Sequence, residues 1–357
     1  MLGSTQLVRS CQGSTIVTDL SNVDLSHVVV FTDLHLGMRN NSRQHNDWCL
    51  EFVEWTIQQA QARGIKTCLF LGDWSHNRSS VNVVTLNYSL QALQLLSNSF
   101  DNVVMLLGNH DLYYRDKLDT HSIPYVSLFP NVHLISTITT VGDCAFVPWL
   151  VNDEWRQISQ IKEPYLFCHA EIARFRMNAM VEMPDHGGLN SSHFAHQRLV
   201  FSGHFHKRQR KGNILYIGNA FPHNFADAGD DDRGIMFWRP GEEPTFAQWP
   251  GAPRFRTFNL SQLLADPTTY IDSQTFARIT VDVSLSYEDR DFLRELFETQ
   301  LQALDVSFIN RAGEDDLEFN DEEVSFESVD SIVLSHLATI ESASMDRNLL
   351  SQIYQSI

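Results

Sequence analysis

The first 110 residues of the chain contain three short apolar runs, each followed by a polar segment. They are His27–Phe31, Lys66–Leu71 and Val103–Leu107, and continuous apolar runs of this length are typical of strands buried on both faces. Between them, Asp47–Arg63 and Val83–Ser97 repeat apolar residues at helical spacing, with Asp47 as a candidate cap for the first helix and Gly64 as its end. Strands that alternate with helices in this way predict an α/β sandwich.

From residue 131 onwards the pattern changes to short apolar runs with few helical stretches between them. The predicted strands are Asn131–Ile138, Ala145–Val147, Tyr165–Cys168, Arg198–Phe201, Ile214–Ile217 and Gly234–Trp238. Such a series predicts a second sheet that packs on the first. At the start of the chain, residues 1–26 alternate weakly and could add an edge strand.

A small α+β unit is predicted after the second sheet, within Phe255–Asn310. Arg278–Val283 alternates as a strand, Tyr287–Leu304 is amphipathic at helical spacing, and Val306–Asn310 has the pattern of a further strand. This unit is expected to be separate from the two-sheet core.

The last part of the chain divides into an acidic stretch and two helical patterns. Ala312–Asp330 contains nine acidic residues and no basic residue, which is typical of a solvated linker. The two helical patterns in Val329–Ile357 predict a helical hairpin, which cannot bury its apolar face alone and is expected to dock on a partner. The predicted divisions are a two-sheet domain at 1–250, the small domain at 251–311, the linker at 312–328 and the hairpin at 329–357.

Composition adds few constraints beyond those of a folded globular protein. Of the 357 residues, 43% are hydrophobic and 20% are charged, so the chain can form a large core and more than one domain. No apolar run approaches the roughly 20 residues that a membrane span needs, and the N-terminus lacks the apolar core of a secretory signal. Five scattered cysteines without metal-finger spacing indicate reduced thiols in a cytoplasm.

The strong negative charge restricts how the chain can bind a phosphate-bearing substrate. It carries 26 basic and 44 acidic residues, for a formal net charge of −18 at pH 7. Unassisted, purely electrostatic binding to a polyanion is therefore disfavoured. A phosphate substrate would need bound cations, a local basic patch or a basic partner.

Asp, Asn and His side chains cluster after the apolar runs, where the predicted strands end. The five segments are Asp33-Leu-His35, Gly72-Asp73-Trp-Ser-His76, Gly108-Asn109-His110-Asp111, His169 and Gly203-His204-Phe-His206. In open α/β sheets, ligands gather beyond the carboxyl ends of the strands. Taken alone, His169 has an ordinary alternative, a buried core histidine. The joint pattern contains only ligand types of divalent metals and predicts a metal site.

The order and spacing of these segments, over about Val28–His206, resemble those of the calcineurin-like metallophosphoesterase superfamily. The resemblance implies a two-sheet α/β/β/α sandwich and a pair of metal ions bridged by one carboxylate. By position, Asp33, His35 and His206 would bind one ion, Asn109, His169 and His204 would bind the other, and Asp73 would bridge them. Every position carries the ligand type of the family, which disfavours a binding scaffold with an inactive site.

Two further residues beside the ligands are assigned by the same resemblance. His110 matches the family's non-ligand histidine, which implies that it protonates the leaving oxygen or stabilises the transition state. Asp111 would then orient the His110 imidazole, while a simple turn or cap residue is the alternative for Asp111. Both are candidate catalytic residues.

His76, three residues after Asp73, narrows the resemblance to the SbcD-type double-strand-break repair nucleases and their phage relatives. In that group a second non-ligand histidine helps to position the DNA phosphodiester, which is the catalytic role implied for His76. The segment Tyr216-Ile-Gly-Asn219 is also similar, although Asn219-Ala220 replaces the usual small pair. The group's architecture implies that the small domain caps the nuclease domain and that residues 329–357 bind an SbcC-like coiled-coil ABC ATPase.

Basic residues near the ligand segments are the candidate DNA contacts. The principal candidates are Arg78, Lys207, Arg208 and Arg210, and further candidates are Arg39, Arg43, Arg115, Lys117 and Lys211. The cluster at 207–211 directly follows His206, which favours a role in binding. A solvated hairpin tip is the alternative for that cluster.

Together these features predict a two-metal-dependent DNA exonuclease or endonuclease that works with the ATPase in recombination and double-strand-break processing. The alternative is a metallophosphoesterase for a small phosphomonoester or a cyclic nucleotide, which would need neither His76 nor the C-terminal hairpin. The family favours Mn²⁺, and Mg²⁺, Fe²⁺ and Zn²⁺ are also possible. We also expect a homodimer, with Val83–Ser97 as a candidate contact, in the cytoplasm of a bacterium or of a phage's bacterial host.

Overall fold

The computed structural model describes residues 8–9, 15–16, 20–177 and 181–310. At its start, β1 (Val8–Arg9) pairs with β2 (Thr15–Ile16) in an antiparallel arrangement. Within the described residues of the predicted edge strand at 1–26, these two short strands form a sheet of their own. The predicted linker and hairpin at 312–357 lie outside the described residues.

The first main sheet contains the strands that precede three of the polar segments. Its members are β3 (Val28–Phe31), β4 (Thr67–Phe70), β5 (Asn102–Leu106), β6 (Val132–Ile135), β13 (Ile235–Trp238) and β14 (Thr245–Ala247), in the order β14-β13-β3-β4-β5-β6. Strands β3 to β6 run parallel, and the edge beside β3 is antiparallel. The three strands predicted in the N-terminal half are confirmed within one residue at each end.

The register of the parallel strands brings their carboxyl ends to one edge. Val30 lies opposite Leu69, and Leu69 lies opposite Val104. The loops that follow these strands therefore leave the sheet side by side, which is where the chain carries its Asp, Asn and His residues.

The second main sheet is also mixed and receives the remaining strands of this region. Its members are β7 (Thr139–Val141), β8 (Cys144–Val147), β9 (Tyr165–His169), β10 (Leu199–Gly203), β11 (Gln209–Lys211) and β12 (Ile214–Tyr216), in the order β11-β12-β10-β9-β8-β7. Two strands predicted for this sheet, β6 and β13, belong to the first sheet, so that part of the prediction was wrong. Their partners β5 and β3 are set by long-range pairing, which a short apolar run does not specify.

The layer between the sheets is apolar and rich in aromatic side chains. Val30, Leu69, Phe167, Phe201 and Trp238 pack there, each at most 1% exposed. Burying a side chain of this size stabilises a fold by about 1.5–3 kcal/mol, so this layer holds the two sheets, and the loops at their edges, in a fixed relation.

Helices lie on the outer face of the first sheet. After α1, a single turn at Met38–Asn41, the main helices are α2 (Arg43–Gln61) and α3 (Val83–Ser99), which confirms the two predicted helices. The cap of α2 is Ser42, whose hydroxyl accepts from His45 N (3.4 Å), and the predicted cap Asp47 instead lies inside the helix and accepts from the Tyr88 hydroxyl. The cap and first turn of α2, at positions 42 to 47, are polar and precede its apolar face. The hydrophobic pattern therefore did not reveal where the helix begins.

Short 3₁₀ segments and loops cover the outer face of the second sheet. Two 3₁₀ segments, Asn152–Gln160 and Ser191–Phe194, and the loops around them bury Phe175, Phe194 and Phe205 against the strands. Within the described ranges this layer contains no α-helix, so the expected fourth layer of the α/β/β/α sandwich is made of short turns. The fold is nonetheless α/β with two mixed sheets.

A three-stranded parallel sheet occupies the last part of the described chain. It comprises β15 (Arg254–Asn259), β16 (Thr275–Val281) and β17 (Asp305–Asn310) with helices α4 (Leu260–Ala265), α5 (Pro267–Tyr270) and α6 (Tyr287–Thr299). These elements bury their own core around Leu260, Ile279 and Phe297. Phe276 packs edge-on against Trp48 of α2 (ring centroids 5.9 Å apart), which joins this small sheet to the first main sheet's helical layer.

The described residues also bear on membrane-spanning helices and on the state of the cysteines. None of the helices described is long and apolar enough to cross a bilayer. Four of the five cysteines are buried free thiols, at positions 49, 68, 144 and 168.

Candidate metal centre

The polar segments meet where the carboxyl ends of the strands of both sheets converge. Asp33 N donates to Gly72 O (3.0 Å), and His35 N donates to Asp73 O (3.1 Å), which aligns the loop after β3 with the loop after β4. The loop after β10 joins them through His204 N, which donates to Asp33 Oδ2 (3.1 Å). Both sheets therefore contribute to one site.

Four of the predicted ligands have left-handed backbone conformations. The φ angle is 52° at Asp33, 51° at His35, 61° at Asp73 and 90° at His204. Residues other than glycine rarely adopt positive φ, and such strain persists where surrounding structure enforces it, most often at functional sites. Here the strained turns directly follow buried strands, whose packing can hold them.

The structure places Asp33, His35, Asp73 and His206 beside one another. His35 Nε2 lies 3.2 Å from His206 Nε2, 3.6 Å from Asp73 Oδ2 and 3.9 Å from Asp33 Oδ1. Two imidazole nitrogens and two carboxylates at this spacing form a ligand set for a divalent ion.

A second group shares Asp73 with the first. His169 Nε2 lies 3.0 Å from Asn109 Oδ1 and 3.4 Å from Asp73 Oδ2, and His204 Nδ1 lies 3.0 Å from Asn109 Oδ1. The same Asp73 oxygen is therefore near a histidine of each group. This is the arrangement that a carboxylate bridging two ions requires.

The imidazoles of the second group are oriented through their other nitrogens. His169 Nδ1 bonds the Leu71 carbonyl (2.7 Å), and because a carbonyl only accepts, Nδ1 carries the hydrogen and Nε2 is free to bind an ion. His204 Nε2 lies 3.4 Å from Glu171 Oε2, so its Nδ1 faces Asn109. Such outer partners fix the tautomer of a ligating histidine. Glu171 could not be predicted from the sequence, because an isolated glutamate two residues after His169 gives no signal of this role.

The charges of the cluster fit a pair of divalent ions. Burial, with the nearby Asp73 charge, raises the pKa of Asp33 to about 7. Burial also lowers the pKa of His206 to about 4 and that of His35 well below its usual range. Burial opposes protonation of His169 as well, but the Asp73 carboxylate raises the pKa of His169 to about 9. The cluster thus buries carboxylate oxygens and imidazole nitrogens close together, and such a group is stable only with nearby positive charge. Divalent cations bound to these oxygens and nitrogens would supply that charge.

His76 and His110 form a stacked pair beside His35. Their ring centroids are 5.4 Å apart with planes at 18°, and the His110 centroid is 4.8 Å from that of His35. His110 Nδ1 bonds the His76 carbonyl oxygen (2.7 Å), so Nδ1 carries the hydrogen and Nε2 is the nitrogen free to exchange a proton. The backbone N–H of His110 donates to Asp73 Oδ1 (2.8 Å), which ties the pair to the ligand cluster.

Asp111 has different partners from those predicted. Its carboxylate accepts hydrogen bonds from the backbone N–H groups of Asp73 (3.0 Å), Trp74 (3.3 Å), Ser75 (2.9 Å) and Gly108 (2.9 Å). The His110 ring is instead held by the His76 carbonyl. Asp111 is buried and clamps the loop after β4 to the loop after β5, because both loops need acceptors for N–H groups that no strand can pair. These contacts resemble those of a turn or cap residue, the alternative for Asp111, more than those of a residue that orients the His110 imidazole.

Gly108→Ala is expected to distort the Asp73 carboxylate. A Cβ at this position would lie 2.2 Å from Asp73 Oδ1 and 2.3 Å from Asp73 N, so Asp73 must move. We expect the affinity for Mn²⁺, measured by calorimetric titration of the full chain, to fall by at least roughly tenfold. Gly188→Ala is the control, since a Cβ there meets no atom within 4 Å. Equal Mn²⁺ affinity in the two variants would contradict the close contact.

Acidic residues of the chain neutralise the predicted basic cluster. The ion pairs are Lys207 with Asp230, Arg208 with Asp232, Arg210 with Glu243 (2.6 Å) and Lys211 with Glu182 (3.2 Å). Arg208 also stacks on Phe246, with its guanidinium carbon 3.9 Å from the ring centroid. These contacts favour a structural role for the cluster over direct presentation of positive charge to DNA.

Arg78 differs from the cluster in both position and partners. It is half-buried near Asp73 and Asp111, whose charges act on it, and burial lowers its pKa. In the part of the chain that the structure describes, Arg78 forms no ion pair. Of the principal DNA-contact candidates, Arg78 is therefore the one that lies near the metal ligands without a direct ion pair among the described residues.

Two buried histidines near His35 were missed from the sequence. His45, in the first turn of α2, bonds the His35 carbonyl through Nε2 (3.0 Å) and supports that loop. His223 has its ring centroid 5.4 Å from that of His35 and 5.2 Å from that of His206. Neither residue directly follows a predicted strand, so the pattern that identified the other histidines gave no signal for these.

The chain is similar to several known proteins. The phage T4 protein "Exonuclease subunit 1" (Enterobacteria phage T4) is 25% identical over 335 residues, which cover 90% of this chain and 95% of the phage protein. The solved structure of Pseudomonas putida nuclease MPE is 12% identical with a TM-score of 0.31, covering 67% of this chain and 98% of that one. A dimetal phosphatase from Danio rerio is 12% identical with a TM-score of 0.33, covering 60% and 92%.

The family itself is shown by a sequence profile. Residues 26–208, about half of the chain, match the calcineurin-like phosphoesterase profile. The matched range contains every ligand predicted from the sequence, and the described clusters are of the His/Asp type that holds two metals. The chain therefore belongs to the calcineurin-like phosphoesterase family.

Proposed function

We propose that the chain is a two-metal-dependent DNA nuclease that hydrolyses phosphodiester bonds in recombination and double-strand-break processing. The observation that carries the proposal is the stacked His76–His110 pair beside the ligand cluster, because it adds two imidazoles that can contact a phosphodiester without being needed as ligands. The similarity to a phage exonuclease subunit along 90% of the chain supports the same activity.

The proposed ligands are those that the two groups bring together. Asp33, His35 and His206 bind one ion, Asn109, His169 and His204 bind the other, and Asp73 bridges them. Mn²⁺ is the proposed ion, with Mg²⁺, Fe²⁺ and Zn²⁺ as the other compatible ions. When bound, the ions would bind phosphate oxygens and lower the pKa of a coordinated water.

The histidine pair supplies proton transfer and orientation. With Nδ1–H held by the His76 carbonyl, the imidazolium form of His110 donates its Nε2 proton to the leaving oxygen and is left as the neutral Nδ1–H tautomer. His35 Nδ1 lies 3.4 Å from His76 Nδ1. If His35 uses Nε2 as a ligand, its Nδ1 donates to His76, and His76 Nε2–H is left to bond a phosphate oxygen.

A direct comparison of substrates tests the proposal. The full chain is incubated with linear double-stranded DNA in Mn²⁺ or in EDTA, with p-nitrophenyl phosphate mono- and diesters in parallel. We expect Mn²⁺-dependent degradation of DNA that His76→Ala weakens. Ester hydrolysis with DNA intact at low salt would instead support the alternative, a phosphoesterase for a small phosphomonoester or a cyclic nucleotide.

Arg78→Ala is expected to weaken DNA binding. Removing one phosphate contact lowers affinity across all sequences and reduces the slope of log K against log salt by about one. The control is Arg210→Ala, whose guanidinium is already paired with Glu243. DNA binding as a function of salt, measured by fluorescence anisotropy in Ca²⁺ or EDTA, gives both slopes. Equal slopes in the wild type and Arg78→Ala would remove Arg78 from the interface.

The proposed partners are DNA, a second copy of the chain and an SbcC-like coiled-coil ABC ATPase. Exposed Val83 (81%) and Val84 (49%) at the start of α3 support that helix as the homodimer contact. The name of the phage relative as a subunit supports a partner protein. Residues 251–311 are proposed to cap the nuclease domain, and residues 329–357 are proposed to bind the ATPase through a hairpin.

Deleting residues 329–357 is expected to remove ATPase binding without unfolding the rest. Described residues that precede position 311 already form three cores around the main sheets and one core in the small sheet. Size-exclusion chromatography of the full and truncated chains with the co-expressed ATPase measures the effect. Co-elution of the truncated chain with the ATPase would place the contact elsewhere.

A further inference from the structure

The loop after β12 carries a buried histidine that the proposed ligand sets leave unused. His223 N donates to Asp227 Oδ2 (2.9 Å), and Arg39 Nη2 donates to His223 O (2.9 Å). The same loop is tied to a ligand loop, because Asn219 N donates to His206 O (3.1 Å). These backbone contacts fix where the loop presents the His223 ring.

Neither ring nitrogen of His223 has a hydrogen-bond partner among the described residues, although the side chain is only 1% exposed. A buried polar group left without a partner costs about 1–3 kcal/mol, and native proteins contain few of them. Its neighbour His45, with a ring centroid 5.5 Å away, bonds a backbone carbonyl in the usual way. The His223 imidazole therefore needs a partner that the described chain does not provide.

The surroundings of the ring indicate what that partner is. One nitrogen from each of His35, His206 and His223 lies within 4.8 Å of the others. Imidazole nitrogens bind ions such as Zn²⁺ at about 2.0–2.1 Å, so nitrogens at this spacing reach one ion after small side-chain adjustments. His206 Nε2 is also 3.9 Å from Asp33 Oδ1, which supplies a carboxylate to the same place.

We propose that His223 is a third imidazole ligand of the ion held by Asp33, His35 and His206. The additional nitrogen favours borderline ions such as Fe²⁺, Co²⁺ and Zn²⁺ at this position over Mg²⁺, which prefers oxygen ligands. The other position, with Asn109, His169 and His204, has two imidazoles. The proposal rests on the metal centre alone and not on the identity of the substrate.

Metal titration of the full chain, stripped with EDTA, tests the proposal. His223→Phe keeps an aromatic ring beside Phe221, whose centroid is 5.2 Å away, but has no nitrogen. We expect Co²⁺ affinity at one of two sites to fall by at least roughly tenfold, with a change in the Co²⁺ visible absorption bands. Mg²⁺ affinity should stay within a factor of two of the wild-type value.

The control is His133→Phe, which removes an imidazole that bonds Asn102 Oδ1 between β6 and β5 (3.1 Å) and is not a proposed ligand. Circular dichroism and thermal unfolding establish that each variant is folded, and His223→Gln replaces His223→Phe under the same criteria if the latter does not fold. Unchanged Co²⁺ affinity and absorption bands in a folded His223 variant would overturn the proposal, as would an equal loss in His133→Phe. No nucleic acid is used, so failure of the nuclease proposal would leave this result unaffected.

Discussion

His110→Gln is expected to abolish phosphodiester cleavage while the chain keeps its metal. Loss of a positioned proton donor slows such reactions by about 10²–10⁴-fold. The proposed ligand groups do not include His110, and its Nδ1 already bonds the His76 carbonyl. Metal content, measured by mass spectrometry of the purified chain, should therefore equal that of the wild type while the kcat on linear DNA falls.

A histidine far from the centre provides the matched control. His133 of β6 bonds Asn102 Oδ1 (3.1 Å) between two strands, and His133→Gln should retain both activity and metal. If His110→Gln loses metal together with activity, His110 is a ligand and its proposed role is wrong. If it retains cleavage, another group protonates the leaving oxygen.

Asp111→Asn is expected to destabilise the chain and weaken metal binding together. The carboxylate accepts four backbone N–H groups, and an amide would turn one donor towards another donor. Each buried N–H left without an acceptor costs about 1–3 kcal/mol. Burial raises the pKa of Asp111 to about 7, which the four donors oppose by favouring the ionised form. The midpoint of urea unfolding and the Mn²⁺ affinity should both fall.

Asp111→Asn distinguishes two roles for Asp111, namely holding the two loops together and orienting the His110 ring. If Asp111 instead acted through the His110 ring, Asp111→Asn would lower kcat and leave the urea midpoint and the Mn²⁺ affinity unchanged. Asp101→Asn, at an exposed carboxylate just before β5, is the control for loss of one negative charge. It should change none of the three measurements.

Much of the fold and the location of the site could be predicted because local pattern and chain topology carry that information. Continuous apolar runs identified β3, β4 and β5 within one residue at each end. Parallel strands bring their carboxyl ends to one edge, so Asp33, Asp73 and Asn109 had to lie near one another once those strands were identified.

Features set by contacts between distant residues could not be read from the pattern. The basic cluster was predicted to face solvent or DNA, yet Lys207 and Arg208 pair with Asp230 and Asp232, which only the folded chain brings near. The partners of Asp111 are backbone groups, and these carry no sequence signature. The contacts of Glu171 with His204 and of His223 with His35 join residues far apart along the chain, so neither residue belonged to a recognisable segment.

Arg39 links the small sheet to the metal-binding loops. Its guanidinium carbon lies 4.9 Å from the Phe255 ring centroid and 4.4 Å from that of Phe276, while its Nη2 bonds the His223 carbonyl. Phe255 and Phe276 stack on one another in β15 and β16, with centroids 4.7 Å apart. A displacement of these strands must either carry the His223 loop with it or break the contacts of Arg39. The small sheet is thereby mechanically coupled to the metal-binding loops, so that a force on the sheet is transmitted to those loops through Arg39.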